Sequence, residues 1–236
     1  MLTGIRDAIL RRWGRSIRRA RRPAFFGSLR GTAPLSNEWG FDRGTPVDRY
    51  YIEQFLGASS ADIAGRVVEI KSAAYTERFG RGVTRADVLD IDATNTCATI
   101  IADLTSADMM PVSAFDCFLL TQTLQLIFDT RAAIALAHRA LRPGGVLLAT
   151  VPVVSRVVPR YGLATDYWRF TEASCERLFS EVFGAGHVTV RTYGNVFAGV
   201  AFLEGVACEE LPRHKLDVHD PYFPILVSVR AVKQGA

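Results

Sequence analysis

VVEIKSAAYTERFG, residues 67–80, opens with an apolar run that ends in an acidic residue, Glu69, and then turns. Where a parallel sheet binds a ligand at its strand ends, glycines usually occupy such a turn, because φ is often positive there and the ligand approaches the main chain closely. Here the chain offers Lys71, Ser72, Ala73, Ala74 and Tyr75 instead. Outward from this stretch, strands and helices alternate. The pattern predicts strands over 66–70, 83–88 (VTRADV), 98–104 (ATIIADL), 115–121 (FDCFLLT) and 145–152 (GVLLATVP). VDRYYIEQFLGASSADI reads as a helix before the first strand. TRAAIALAHRAL (130–141) has helical period and stops at Arg142-Pro143-Gly144-Gly145, and SCERLFSEVFG ends at a glycine stop, Gly184. HVTVRTY and PILVSVRAV alternate as late strands and suit a hairpin-like edge. Short buried strands separated by helices predict an α/β fold with a doubly wound, mostly parallel sheet.

In such sheets a ligand lies beyond the carboxyl ends of the strands, where strand order reverses. Three acids close the first three expected strands in turn: Glu69, Asp87 and Asp103. A carboxylate after the second strand can accept both hydroxyl hydrogens of a ribose diol, and one after the third can accept from an exocyclic adenine amine. Acids also cap helices that begin after strands. The ordered set favours a nucleoside-containing ligand.

The bulk composition bounds the rest. A chain of 236 residues, 49% hydrophobic and 22% charged, fits one globular domain with an extension. The net charge of +4 conceals an asymmetry. Residues 1–30 hold nine arginines and one acid, Asp7, so a basic arm precedes a mildly acidic domain over 31–236. In the arm, Leu2, Ile5, Ile9, Trp13, Ile17 and Ala20 fall on one helical face, arginines fill the others, and Pro23 ends the pattern. This amphipathic helical extension suits an anionic membrane surface through residues 1–22. Docking on the protein's own body or on a second subunit, as in a homodimer, and nucleic-acid binding are the competing readings. The acidic body argues against a nucleic-acid substrate. The start lacks the apolar core of a signal peptide, so a cytoplasmic location is expected, peripheral to the inner membrane face if the arm binds lipid. Cys97, Cys117, Cys175 and Cys208 form no CxxC pair and read as buried free thiols. HKLDVHDP matches no standard ligand spacing, so no metal site is expected.

LRPGGVLLATVP and FDCFLLTQTLQLIFD, joined by FGSLR, WGFDRGTPVDRYYIE, YTERFG, ADLT, DYWRFT and YGN in this order, carry a resemblance over roughly residues 40–232. The chain resembles class I S-adenosylmethionine-dependent methyltransferases, and in particular a bacterial subgroup linked to sugar and cell-envelope biosynthesis. The resemblance implies a Rossmann-like seven-stranded methyltransferase sheet and S-adenosylmethionine as cofactor. By position, Glu69 and Lys71 would border the methionine moiety, Asp87 would hold the ribose, Asp103 and Leu104 would flank the adenine, and Thr121 and Gln122 would line the pocket under the sulfonium. Arg43, Arg49, Tyr50 and Tyr51 precede the first strand, where such enzymes close over cofactor and acceptor; the other reading is a helix packed by tyrosines and salt-bridged by arginines. The departure is the usual GxGxG, which becomes Lys71-x-Ala73-x-Tyr75. Lysine here either pairs with the donor's carboxylate or neutralises Glu69 and fills the site.

ATDYWRFTEASCERLF follows the fifth strand, where acceptor loops sit. Asp166 is the candidate base or hydroxyl-orienting group, Tyr167 and Trp168 offer flat faces to a sugar ring, and Arg169 either binds an anion or clamps Asp166. The alternative is that Thr171 caps the next helix while Trp168 and Phe170 pack. His219 is an outside candidate for base, and His138 reads as a surface or packing residue. DPYF (220–223) lies too near the C-terminus to serve as the amine-binding motif of DNA methyltransferases. The leading expectation is an O-methyltransferase acting on a saccharide or glycolipid hydroxyl. A non-catalytic scaffold with a degenerate cofactor loop is the runner-up, and methylation of a small natural product or a nitrogen acceptor comes third.

Overall fold

The computed structural model describes residues 31–106, 109–157 and 165–235. The arm over residues 1–30, with its expected helix and membrane contact, lies outside them. The remaining chain builds one seven-stranded sheet in the order β3-β2-β1-β4-β5-β7-β6. Its strands are β1 (Gly65–Ile70), β2 (Val83–Asp90), β3 (Ile100–Ile101), β4 (Phe115–Thr121), β5 (Leu141–Pro152), β6 (Val188–Tyr193) and β7 (Leu226–Val232). The first five run parallel, and β7 lies antiparallel between β5 and β6. The late strands therefore pair antiparallel at one edge, as their alternation suggested, although helices rather than a tight turn connect them.

Side chains on alternate positions of the central strands feed two cores, so the sheet is covered on both faces. Val68, Phe118, Leu147 and Val227 pack with Ile134 of α3 (Thr130–Ala140) and Phe179 of α4 (Glu172–Phe183), residue ranges that place these helices on one face. Before them in the chain come α1 (Val47–Ala58) and α2 (Ala74–Phe79). Val67, Cys117, Leu119 and Leu148 pack with Tyr51 and Phe55 of α1 and with Phe202 of α5 (Val196–Glu204) on the other face. A short α6 (Arg213–Leu216) follows α5 in the chain. Thr171 caps α4 in a reciprocal pair with Ser174, and Gly184 ends it with φ of 86°, a conformation that favours glycine.

Three boundaries depart from expectation. β2 continues past Val88 to Asp90, because Leu89 and Asp90 pair with Ile100 and Ile101. β3 shrinks from the expected 98–104 to those two residues. β5 begins at Leu141, steps out of register between its pairings with Phe115 and Cys117, and resumes at Val146, so Arg142 to Gly145 form a bulge rather than a plain stop. Of the cysteines, Cys117 and Cys175 are buried and Cys208 half-buried, while Cys97 is exposed, against expectation. No helix among the described residues is long and apolar enough to cross a membrane.

Candidate functional site

A cavity of about 1440 Å³ opens at the carboxyl ends of β1, β2, β3 and β4. Strand order reverses between β1 and β4, so this is the crevice where open α/β sheets bind ligands.

The β1 end is held from within. Glu69 is buried, and its carboxylate accepts from the Tyr75 and Thr76 amides at 3.1 and 2.7 Å and from the Thr76 hydroxyl at 2.8 Å, which fixes the start of α2. Burial raises its pKa, against these hydrogen bonds. Lys71 follows with φ of 68°, the left-handed backbone that glycine would adopt freely. Its amide donates to Leu89 and its carbonyl accepts from the Asn95 side chain at 2.8 Å. The turn thus keeps a glycine-type geometry without a glycine, and Ala73, with φ of −94°, has no need of one.

Asn95 is the bridge to β2. The same amide nitrogen donates to Asp90 Oδ2 at 2.7 Å, while Asp90 Oδ1 accepts from the Asp92 amide at 3.1 Å. Asp90 and Asp92 line the cavity, with Ile91 beside them 69% exposed. Asp87 does not. It lies mid-strand, its carboxylate bonded to Arg66 at 2.7 Å, to Arg85 at 2.8 Å and to Thr99 at 3.1 Å. Burial alone would raise the Asp87 carboxyl, but these donors together hold it below the ordinary range. Asp87, expected at the ribose, thus stands away from the cavity, and the acid that ends β2 and lines it is Asp90, three residues further along the strand.

Asp103 and Leu104 line the next part of the wall; Asp103 Oδ1 accepts from the Thr105 amide and hydroxyl at 2.8 and 2.9 Å. Thr121 and Gln122 line the floor beyond β4, and Gln122 has φ of 47°. Four buried polar atoms have no hydrogen-bond partner among the described residues: Gln122 Nε2, Gln125 Oε1, Thr150 Oγ1 and Arg156 Nη1. All four belong to the ends of β4 and β5 or to the segments just after them. Such orphans cost stability and mark places where a ligand or water completes the bonding.

The acceptor residues are redistributed. Asp166 and Arg169 do not line the cavity. The Asp166 carboxylate is fully buried and bonded to both Arg169 terminal nitrogens at 2.5 and 3.1 Å, while Arg169 also donates to the Arg156 carbonyl at 2.9 Å. This is the clamp reading, and it removes Asp166 as an open base. Tyr167 does reach the cavity, 44% exposed, with its ring centroid 5.4 Å from that of Phe128. Trp168 stacks on Phe128 at 5.8 Å and donates from its indole to the Ile127 and Phe128 carbonyls. Phe170 is buried in the core.

Of the four candidates before β1, Arg49 lines the cavity, as does its neighbour Ile52, and Arg43, Tyr50 and Tyr51 do not. Arg43 pairs with Glu210, the Tyr50 hydroxyl donates to Asp217 at 2.5 Å, and buried Tyr51 donates to the Leu216 carbonyl at 2.8 Å. These three tie α1 and the segment before it to the segments around α6, so they serve packing there and stand outside the cavity wall where they were expected. His219 bonds Thr192 at 2.8 Å away from the cavity wall, and His138 packs edge-on against Phe183 at 4.8 Å. Asn95 and Phe128 were missed by the sequence reading, and Asp90 and Ile91 were given no role in it beside Asp87, although the unbroken apolar pair Val88-Leu89 already carried the strand to Asp90.

Neither a protein-family model nor a curated protein sequence matches the chain. Solved structures do. The cyclase SpnF matches with a TM-score of 0.53 at 14% identity, over 79% of this chain and 82% of that one. An S-adenosylmethionine-dependent methyltransferase from Mesorhizobium loti matches with a TM-score of 0.51 at 16% identity, over 79% of this chain and 100% of that one. Phosphoethanolamine N-methyltransferase 2 from Haemonchus contortus, bound to phosphomonomethylethanolamine and S-adenosylhomocysteine, matches with a TM-score of 0.50 at 16% identity, over 84% and 56%. At these identities the likeness is one of architecture, and with the observed strand order it gives the chain the seven-stranded, Rossmann-like methyltransferase fold.

Proposed function

We propose that this chain is an S-adenosylmethionine-dependent methyltransferase that methylates a hydroxyl of a saccharide or glycoconjugate. The observation that carries the donor half is the cavity wall itself: Asp90 ends β2 and Asp103-Leu104 follow the neighbouring β3, both lining the cavity that opens at the carboxyl ends of the strands. The residues fit the group. Asp90 is placed to accept from the ribose hydroxyls, Ile91 to cover one face of the adenine, and Asp103 to accept from its amine. The donor carries no pyrophosphate, so a β1 turn without glycines suffices provided its backbone keeps the left-handed step that Lys71 takes.

The donor supplies an activated methyl group, and the chain's task is alignment of the acceptor. The exposed faces of Phe128 and Tyr167 at the cavity wall suit the apolar face of a sugar ring, and the orphan amide of Gln122 suits a hydroxyl oxygen. The basic arm over residues 1–22 suits an anionic membrane and hence a lipid-linked acceptor; liposome flotation of the full chain against one lacking these residues tests that part, and equal flotation rejects it. Calorimetry with S-adenosylmethionine and S-adenosylhomocysteine tests the donor site. Saturable binding is expected, and none up to millimolar concentration would reject the enzyme in favour of a non-catalytic scaffold.

A further inference from the structure

Arg49 presents a half-buried guanidinium to the cavity, and we propose that it, rather than Lys71, anchors the carboxylate at the amino-acid end of the donor. The proposal rests on the donor reading above and sharpens it. The side chain is gripped from two sides. Its guanidinium carbon lies 5.6 Å from the Phe41 ring centroid and 5.2 Å from that of Tyr75, and one terminal nitrogen donates to the Tyr75 hydroxyl. Among the described residues it has no carboxylate within ion-pair distance, whereas Arg43, Arg66, Arg85, Arg169 and Arg230 each have one. The adjacent Asp48 takes the backbone amide of Arg49 at 2.8 Å, not its guanidinium. A rigid fork of donors that faces the cavity with no carboxylate in ion-pair reach calls for an anionic ligand group.

Position selects the carboxylate. Arg49 and Tyr75 line the cavity with Ser72 and Ala74 at the β1 end, while Asp90 and Asp103 line it beyond β2 and β3. A nucleoside held at the second place directs the other end of an S-adenosyl ligand to the first. Glu69 is already committed to three hydrogen bonds at the start of α2. Lys71 is an exposed residue, so an ion pair there is weakened by solvent more than one at Arg49.

The test is calorimetric titration of the full chain and its Arg49→Met variant with two ligands: S-adenosylhomocysteine, and 5′-methylthioadenosine, which shares the nucleoside and thioether and lacks the amino-acid end. The variant is expected to bind S-adenosylhomocysteine ~100-fold more weakly and 5′-methylthioadenosine nearly as well, since only the first offers a carboxylate to the fork. An equal loss for both would assign Arg49 to the fold or the nucleoside and overturn the proposal. No loss for either would also overturn it, leaving the guanidinium to an anionic acceptor. A larger loss for S-adenosylhomocysteine in Lys71→Met than in Arg49→Met would return the carboxylate to the lysine. If the unaltered chain binds neither ligand, the donor reading itself fails, and the proposal with it.

Discussion

Around the ends of β1, β2 and β3 the polar side chains are arranged around open space, whereas beyond β5 they are turned onto one another. Asp90 and Asp103 each bond one or two nearby loop groups and still form the cavity wall. Asp166 and Arg169 satisfy each other in a pair whose carboxylate is buried, and it is Thr165 and Tyr167 of that region that line the opening. The difference follows from what each half meets. In the proposed donor site a ribose and an adenine would present fixed hydrogen-bond partners, which calls for carboxylates that stand at strand ends and remain accessible. The loop after β5 has first to be held in place, and Arg169 does so by gathering Asp166 and the carbonyls of Ser155, Arg156 and Trp168. Charged residues therefore serve structure in one half and line the cavity in the other.

The contrast is broken most forcefully at Asp87, the acid that resembles a ligand group and serves the frame. Asp87→Asn removes the charge that balances Arg66 and Arg85, and a loss of about 2–3 kcal/mol in urea unfolding is expected, somewhat below a fully buried pair because both arginines keep some exposure. Unchanged stability would return Asp87 to the list of ligand groups. Asp166→Asn comes next, with an expected loss of about 2 kcal/mol and with the Asp166→Asn, Arg169→Gln double variant little worse than either single one, as a coupled pair requires. Full stability joined to lost methyl transfer would instead restore Asp166 as a base. The smallest effect is expected at Lys71→Gly. Relief of the left-handed backbone should raise stability by about 1 kcal/mol in thermal unfolding, and a fall would mean that the lysine side chain contributes more than its backbone costs.

The central strands were legible because burial on both faces leaves continuous apolar runs, and β4 matches its expected limits to the residue. The end of β2 was not, because a charge inside a strand reads as a terminus unless its partners are known, and Arg66 reaches Asp87 only through the β1–β2 pairing. At Tyr51 the signal was present but read the other way: Val47, Tyr51 and Phe55 recur at four-residue spacing, which is a core stripe, and all three are buried. For Asp166 the D-x-x-R spacing held the answer, since a residue and its third successor can close a pair without any tertiary help. Phe128 had no such signal. Its exposure next to Tyr167 depends on where the segment after β5 returns, and no local pattern encodes that.

The central claim is that the donor's ribose belongs to Asp90 and not to the acid three residues before it. Titrating S-adenosylhomocysteine into Asp90→Asn and Asp87→Asn side by side tests it most directly. The account predicts that Asp90→Asn weakens binding by about 100-fold, the worth of charge-assisted bonds to two hydroxyls, while Asp87→Asn leaves affinity nearly unchanged. Loss of binding in Asp87→Asn with Asp90→Asn unaffected would contradict it.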